Sequence, residues 1–135
     1  MTENEIAKIL VNIFLSAGSC GLESVYEAAI CYELDKLGIK YKRKQGIAVV
    51  YDDAKMDIGF RADIIVENKV IVEIKSIEAI APVHQKTLLT YIKLTDLKLG
   101  LLVNSPAWSP AYQQGRADRN VNLIKEGITR IVNNL

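Results

Sequence analysis

The chain has only two cysteines, Cys20 and Cys31, and a single histidine, His84. Two thiols cannot build a disulfide framework, so the expected setting is a reducing cytoplasm. The two lie eleven residues apart with no His or Cys at ligand spacing, which speaks against structural zinc. No apolar run reaches the roughly 18 residues of a membrane span. The acids Glu3 and Glu5 precede the first apolar residues, where a secretory leader carries positive charge. An excess of one charge is also missing: 17 basic against 16 acidic side chains give +1. Bulk charge therefore does not hold this chain on nucleic acid, and any such role needs a local patch. Internal repeats and low-complexity linkers are absent. What remains is an ordinary globular composition, 50% hydrophobic and 24% charged over 135 residues. A chain of this length buries roughly 68% of the surface its unfolded form exposes. That is enough for one domain spanning 1–135.

Periodicity orders the chain. A helical stripe of Ile6, Ile9, Leu10, Ile13 and Phe14 predicts a helix over about 3–16, with Thr2 and Glu5 at capping-box spacing. Gly18 and Gly21 bracket a break. A second helix is expected over about 22–37, with Leu22, Val25, Tyr26, Ala29, Ile30, Leu34 and Leu37 inward and Gly38 as its stop. Strands follow at about 45–51, 58–67 and 70–76. Pro82 suits the first turn of a helix over about 82–95. An apolar run from Leu97 to Val103 reads as a buried strand ending at Asn104-Ser105-Pro106. The tail over 121–132 reads as a short strand, a turn at Lys125-Glu126-Gly127 and another strand. The order α-α-β-β-β-α-β plus tail implies an α/β fold, with a mixed sheet and helices on its faces.

The segment from Arg61 to Lys75 is the one that can carry chemistry. It predicts a β-hairpin turning at Asn68, with side chains alternating between faces. Ala62, Ile64, Val66, Val70, Val72 and Ile74 form an apolar side, and Asp63, Ile65, Ile71, Glu73 and Lys75 the other. A three-residue loop of Glu67, Asn68 and Lys69 pairs Val66 with Val70 and sets Asp63 opposite Glu73. A two-residue loop would part the two acids unless a bulge intervened. Two carboxylates about 4 Å apart repel by roughly 4 kcal/mol at an effective dielectric near 20. Lys75 offsets part of this, and a divalent cation would offset more. Hard oxygens suit magnesium or manganese rather than zinc. Such an ion lowers the pKa of a bound water and stabilises charge on a phosphate oxygen. Lys75 would hold the attacking water or the phosphate. The plainer alternative is a solvated strand face of alternating charge.

These residues resemble the PD-(D/E)xK nuclease superfamily, in which an Asp on one strand is followed about ten residues later by Glu-x-Lys. Asp63 and Glu73-Ile74-Lys75 match that spacing. The element order resembles the superfamily's restriction-endonuclease-like αβββαβ core. The resemblance narrows to the small GxxExxY proteins through Gly21-Leu22-Glu23-Ser24-Val25-Tyr26-Glu27, the 59–63 stretch, the run 70–84 and the run 97–104. It covers about residues 5–104 and leaves 105–135 as a tail. It implies a metal-dependent deoxyribonuclease. Asp63, Glu73, the Ile74 carbonyl and Glu23 would hold Mg2+ or Mn2+, and Lys75 would assist the attack. Without the resemblance Glu23 reads as a first-turn Glu favoured by the helix dipole. Two positions depart from the pattern. Cys20 stands where a Gly is expected, with Gly21 displaced by one. In the RecB-like branch a Gln-x-x-x-Tyr motif follows the Lys strand. Tyr91 matches it, but Thr87 replaces the Gln, and Gln85 lies about 200° around the helix from there. A weakened or inactive module that binds nucleic acid or a protein is therefore the second reading. A junction-specific dimer is the third.

Smaller features keep two readings each. His84 reads as a surface residue at a helix start or as a phosphate contact. Tyr91 reads as core or as a support for the site. Lys40, Lys42, Arg43 and Lys44, with Tyr41 among them, form the densest basic cluster, either a DNA-backbone contact or a solvated loop. In the tail, Arg116, Arg119, Lys125 and Arg130 outnumber Asp118 and Glu126, with Trp108 and Tyr112 nearby. Residues 105–119 read as a binding loop or a homodimer contact.

Overall fold

The computed structural model describes residues 1–17, 23–76, 81–104 and 128–133. Helix α1 covers Glu3–Ala17 and α2 Glu23–Lys36. Strands β1 (Tyr41–Tyr51), β2 (Ala54–Val66) and β3 (Val70–Lys75) follow, then α3 (Pro82–Thr95), β4 (Leu99–Asn104) and β5 (Ile128–Val132). The strands form one sheet in the order β1-β2-β3-β4-β5. Only the β3–β4 pair is parallel, and α3 supplies the crossover that a parallel pair requires. The other pairs are antiparallel. This is the α/β, restriction-endonuclease-like arrangement that the element order implies.

Local chemistry sets the helix ends. Thr2 Oγ1 accepts from the Glu5 N–H, and Glu5 Oε2 accepts from the Thr2 N–H, so the capping box forms at α1. At α2, Gly38 (φ +70°) donates to the Asp35 carbonyl and Ile39 to the Leu34 carbonyl, a Schellman closure. Asp96 (φ +59°) closes α3 in the same way, with Leu97 donating to Ile92. That closure explains why β4 starts at Leu99 rather than at Leu97.

The sheet separates two apolar layers. Ile6, Leu10 and Phe14 of α1 and Tyr26, Ile30 and Leu34 of α2 pack on Ile64, Val66, Val70, Val72, Leu101 and Val103. On the opposite face Leu88 and Ile92 of α3 cover Ile47, Ala62, Ile65, Ile71 and Leu102. Covered on both faces, β3 and β4 are nearly continuous apolar runs. Gly100 lets α3 lie close: a Cβ there would stand 2.7 Å from Ile92 Cδ1 and 3.1 Å from Leu88. No helix among the described residues is long and apolar enough to cross a membrane.

Three local expectations need correcting. Val25 and Leu37 are half-exposed or more, because the inward stripe of α2 is Tyr26, Glu27, Ile30, Cys31 and Leu34. The basic run begins β1 rather than a loop: Tyr41 pairs Val66, and the strand continues to a tight turn at Asp52 and Asp53, both at positive φ. Ala62 lies on the α3 face while Ile64 faces α1 and α2, so the pleat reverses between them. Facing this reversal, between the pairs Arg43↔Ile64 and Gln45↔Ala62, Lys44 adopts φ +53°. Of the tail only Ile128–Asn133 is described, and Ile128–Val132 is a strand as expected. The expected earlier strand and turn, residues 105–119, Gly18, Cys20 and Gly21 lie outside the described residues.

Candidate metal centre

The β2–β3 hairpin closes through the three-residue loop. Val66 pairs Val70, and the Lys69 N–H donates to the Val66 carbonyl at 2.9 Å. Glu67 and Asn68 take φ of +53° and +54°. Glu67 is tied to the start of β1: its N–H donates to the Lys40 carbonyl, and its Oε1 accepts from the Lys40 N–H.

The ladder runs as far as Ile64↔Val72. The next rung, Asp63 against Glu73, is built from side chains. The Asp63 N–H donates to Glu73 Oε1 at 3.1 Å, and the Ile74 N–H donates to Asp63 Oδ2 at 2.8 Å. Carboxylate oxygens thus replace backbone carbonyls where the strands part. Glu73 is 8% exposed, and its pKa is pushed up to about 7, first by burial and then by the charge on Asp63. The Asp63 N–H and the charges of Lys75 and Lys44 oppose this rise.

The pleat reversal divides the surroundings of the two acids. Glu73 and Lys75 line a cavity of about 280 Å3 with Phe60, His84, Thr87 and Tyr91. Asp63 and Ile74 line a second, of about 530 Å3, with Glu23, Glu27, Lys44 and Ser76. Glu23, at the first turn of α2, reaches the end of β3, where its Oε1 accepts from the Ser76 N–H at 2.8 Å. The buried Ser76 Oγ finds no partner among the described residues. The four acidic and amine positions singled out in the sequence therefore lie around one strand end but line two separate depressions, Glu73 and Lys75 on the α3 side and Asp63 and Glu23 on the α2 side, which corrects the expectation that Asp63 shares a strand face with Glu73 and Lys75.

On the α3 side, Thr87 Oγ1 donates to the Val83 carbonyl of its own helix at 2.7 Å, although its position lines the Glu73 cavity. Tyr91 stacks on Phe60 with ring centroids 3.4 Å apart. Burial and the charge of Glu73 raise the Tyr91 pKa. His84 Nδ1 accepts from the Ala81 N–H at 2.9 Å and so caps α3.

One residue in the network was quoted in the sequence motif without a role: Glu27, one helical turn beyond Glu23 and 4% exposed. Its Oε2 accepts from Arg43 Nε at 3.2 Å and Nη2 at 2.7 Å. Its Oε1 lies 3.1 Å from Lys44 Nζ, which also donates to Asp63 Oδ1 at 2.8 Å. These partners make burial of the charge tolerable. No local signal marked it, since an acid on a helix is ordinarily solvated. Arg43 and Lys44 are thus committed to acids, with the Glu27 bond holding the Arg43 guanidinium charged and those to Asp63 and Glu27 the Lys44 ammonium. Lys40 and Lys42 remain exposed.

No group of three or more His, Cys, Asp or Glu side chains among the described residues is arranged to hold a metal ion. The donors still suit a hard cation. Asp63 and Glu73 meet at the open rung, a Ser76 hydroxyl unpartnered among the described residues lies beside Asp63, and magnesium is commonly held by one or two carboxylates with waters completing its shell. The chain matches the family description "PD-(D/E)XK nuclease superfamily" over residues 1–116. No curated protein and no solved structure matches it.

Proposed function

The chain belongs to the PD-(D/E)XK nuclease superfamily, and from that premise we propose that it is a metal-dependent nuclease hydrolysing DNA phosphodiester bonds. We place it among the GxxExxY proteins on Glu23, Tyr26 and Glu27 of α2, and in the RecB-like branch on Tyr91 of α3. The observation that carries the reading is the open rung of the hairpin, where Asp63 and Glu73 meet with Ile74 between Glu73 and Lys75. Divalent metals serve this superfamily generally. Asp63, Glu73 and the Ile74 carbonyl would hold Mg2+ or Mn2+, with Glu23 reaching the ion directly or through water. The bound ion would polarise the scissile phosphate and acidify a water.

The chain's own residues do the rest. Lys75 extends from the Glu73 strand into the same cavity, where its ammonium orients the attacking water or stabilises phosphate charge. Glu73, sensitive to the charge on Asp63, takes its ionised form when a cation offsets both acids. Lys40 and Lys42, exposed beside the entry to β1, offer phosphate contacts to the DNA backbone. Cys31 is a buried free thiol, which accords with a cytoplasmic protein.

Assays on single- and double-stranded DNA with Mg2+ or Mn2+ test this. Cleavage should disappear in Glu73→Ala and Lys75→Ala. A second reading, a nuclease fold that binds nucleic acid or a protein without cutting, is favoured by Thr87, whose hydroxyl turns back onto its own helix. Equal inertness of wild type and both variants on all substrates, with binding retained, selects it.

A further inference from the structure

We infer that Lys44 is a tethered counter-ion of the site: its ammonium neutralises Asp63 and Glu27 in the metal-free chain and competes with a divalent cation for Asp63 Oδ1. This rests on the metal-dependent reading above and adds a control element to that site.

Four observations carry it. Lys44 Nζ bridges two acids, 2.8 Å from Asp63 Oδ1 and 3.1 Å from Glu27 Oε1. The Ile74 N–H donates to Asp63 Oδ2 and Lys44 Nζ to Oδ1, so an ion approaching Asp63 through Oδ1 meets the ammonium already there. The Lys44 backbone is at φ +53°, a left-handed conformation that L side chains other than Asn and Asp rarely adopt. Such a conformation persists where surrounding contacts over-determine it. Here it accompanies a pleat reversal that lets Arg43 and Lys44, adjacent in a strand, both reach Glu27. Finally, Glu27 keeps a second partner: Arg43 holds its Oε2 through Nε and Nη2. Departure of Lys44 therefore leaves the buried Glu27 compensated.

The side chain is built to leave. It is 59% exposed, on a flexible four-carbon stem, whereas the Glu27 side chain is 5% exposed and pinned. A divalent ion brings twice the charge to the same carboxylate and wins the competition at sufficient concentration. The predicted consequence is that metal affinity is held below what the acids alone would give. Entry of the ion releases an ammonium at the rim of the cavity.

The test uses the full chain and Mn2+. Calorimetric titration of wild type, Lys44→Arg and Lys44→Met should give about tenfold tighter Mn2+ binding in Lys44→Met, the variant that removes the competing charge. Lys44→Arg should stay near wild type. A second measurement needs no variant. Brief acylation of wild type with an amine-reactive reagent, read by mass spectrometry, should label Lys44 several-fold more when Mn2+ is saturating, with Lys93 as the unchanged internal reference. Mn2+ binding no tighter in Lys44→Met, or Lys44 labelling indifferent to Mn2+, overturns the counter-ion role while leaving a metal-binding wild type intact. A wild type that takes up no Mn2+ overturns the metal reading itself, and this inference falls with it.

Discussion

The backbone N–H of Asp63 donates to Glu73 Oε1 while the Asp63 carboxylate takes the N–H of Ile74, the residue after Glu73. The two acids thus hold each other's strands at the point where the β2–β3 ladder ends. Acids that would otherwise repel are kept adjacent because each satisfies a backbone donor. The same arrangement leaves Glu73 buried beside a negative charge, which raises its pKa.

That shift has a direction in stability. A carboxyl whose pKa rises from 4.5 to about 7 on folding binds more protons folded than unfolded between those values. Stability therefore falls as pH increases through that window and levels off above it. The full difference is about 3 kcal/mol. Urea unfolding in chelator should find the metal-free wild type less stable at pH 8 than at pH 5. Glu73→Gln should flatten the slope and gain most at pH 8. Added Mg2+ should reverse the trend in wild type by favouring the ionised form.

Glu27 is nearly inaccessible and carries two cationic partners. Glu27→Gln should destabilise the chain by about 2 kcal/mol, below the range for fully buried pairs because Arg43 and Lys44 are partly exposed. A double-mutant cycle with Arg43→Met isolates the coupling. Additive losses would show that the bidentate contact contributes nothing of its own.

Gly100 is where α3 meets β4 most closely. Gly100→Ala should cost about 1–2 kcal/mol in thermal or urea unfolding, because the new methyl group forces Ile92 and Leu88 out of a packed layer. Unchanged stability would mean that α3 moves off the sheet without loss.

Thr87 lines the cavity of Glu73 and Lys75, yet its hydroxyl donates back to the Val83 carbonyl of its own helix. Thr87→Gln supplies the residue found at this position in the RecB-like pattern. Metal-dependent cleavage should increase several-fold with stability unchanged within about 0.5 kcal/mol, as for exposed substitutions. A rate no higher than wild type would show that Thr87 does not limit the reaction.

Much of the scaffold was readable because its signals are local. The stripe of α1, the Thr2–Glu5 box, Gly38 at the end of α2 and the apolar runs of β3 and β4 each follow from periodicity or a terminal residue. The pairing of Val66 with Val70 followed from loop parity, but parity also set Asp63 on the face of Glu73, and the pleat reversal turns it to the other side. The inward turn of Glu27 was not readable, because its partners lie 16 and 17 residues away on β1 and an acid on a helix is ordinarily solvated.

Composition and spacing alone determined the mixed α/β fold, the hairpin loop and which acids and amines the hairpin carries, because strand alternation and helical periodicity act over a few residues. Only the tertiary structure decided which way those side chains face. The pleat reversal at Asp63, the positive φ of Lys44 and the burial of Glu27 coincide where Arg43 and Lys44 of β1 pack on Glu27 of α2. That packing joins residues far apart in the chain, and its balance of desolvation against charge pairing is settled only once they are in contact.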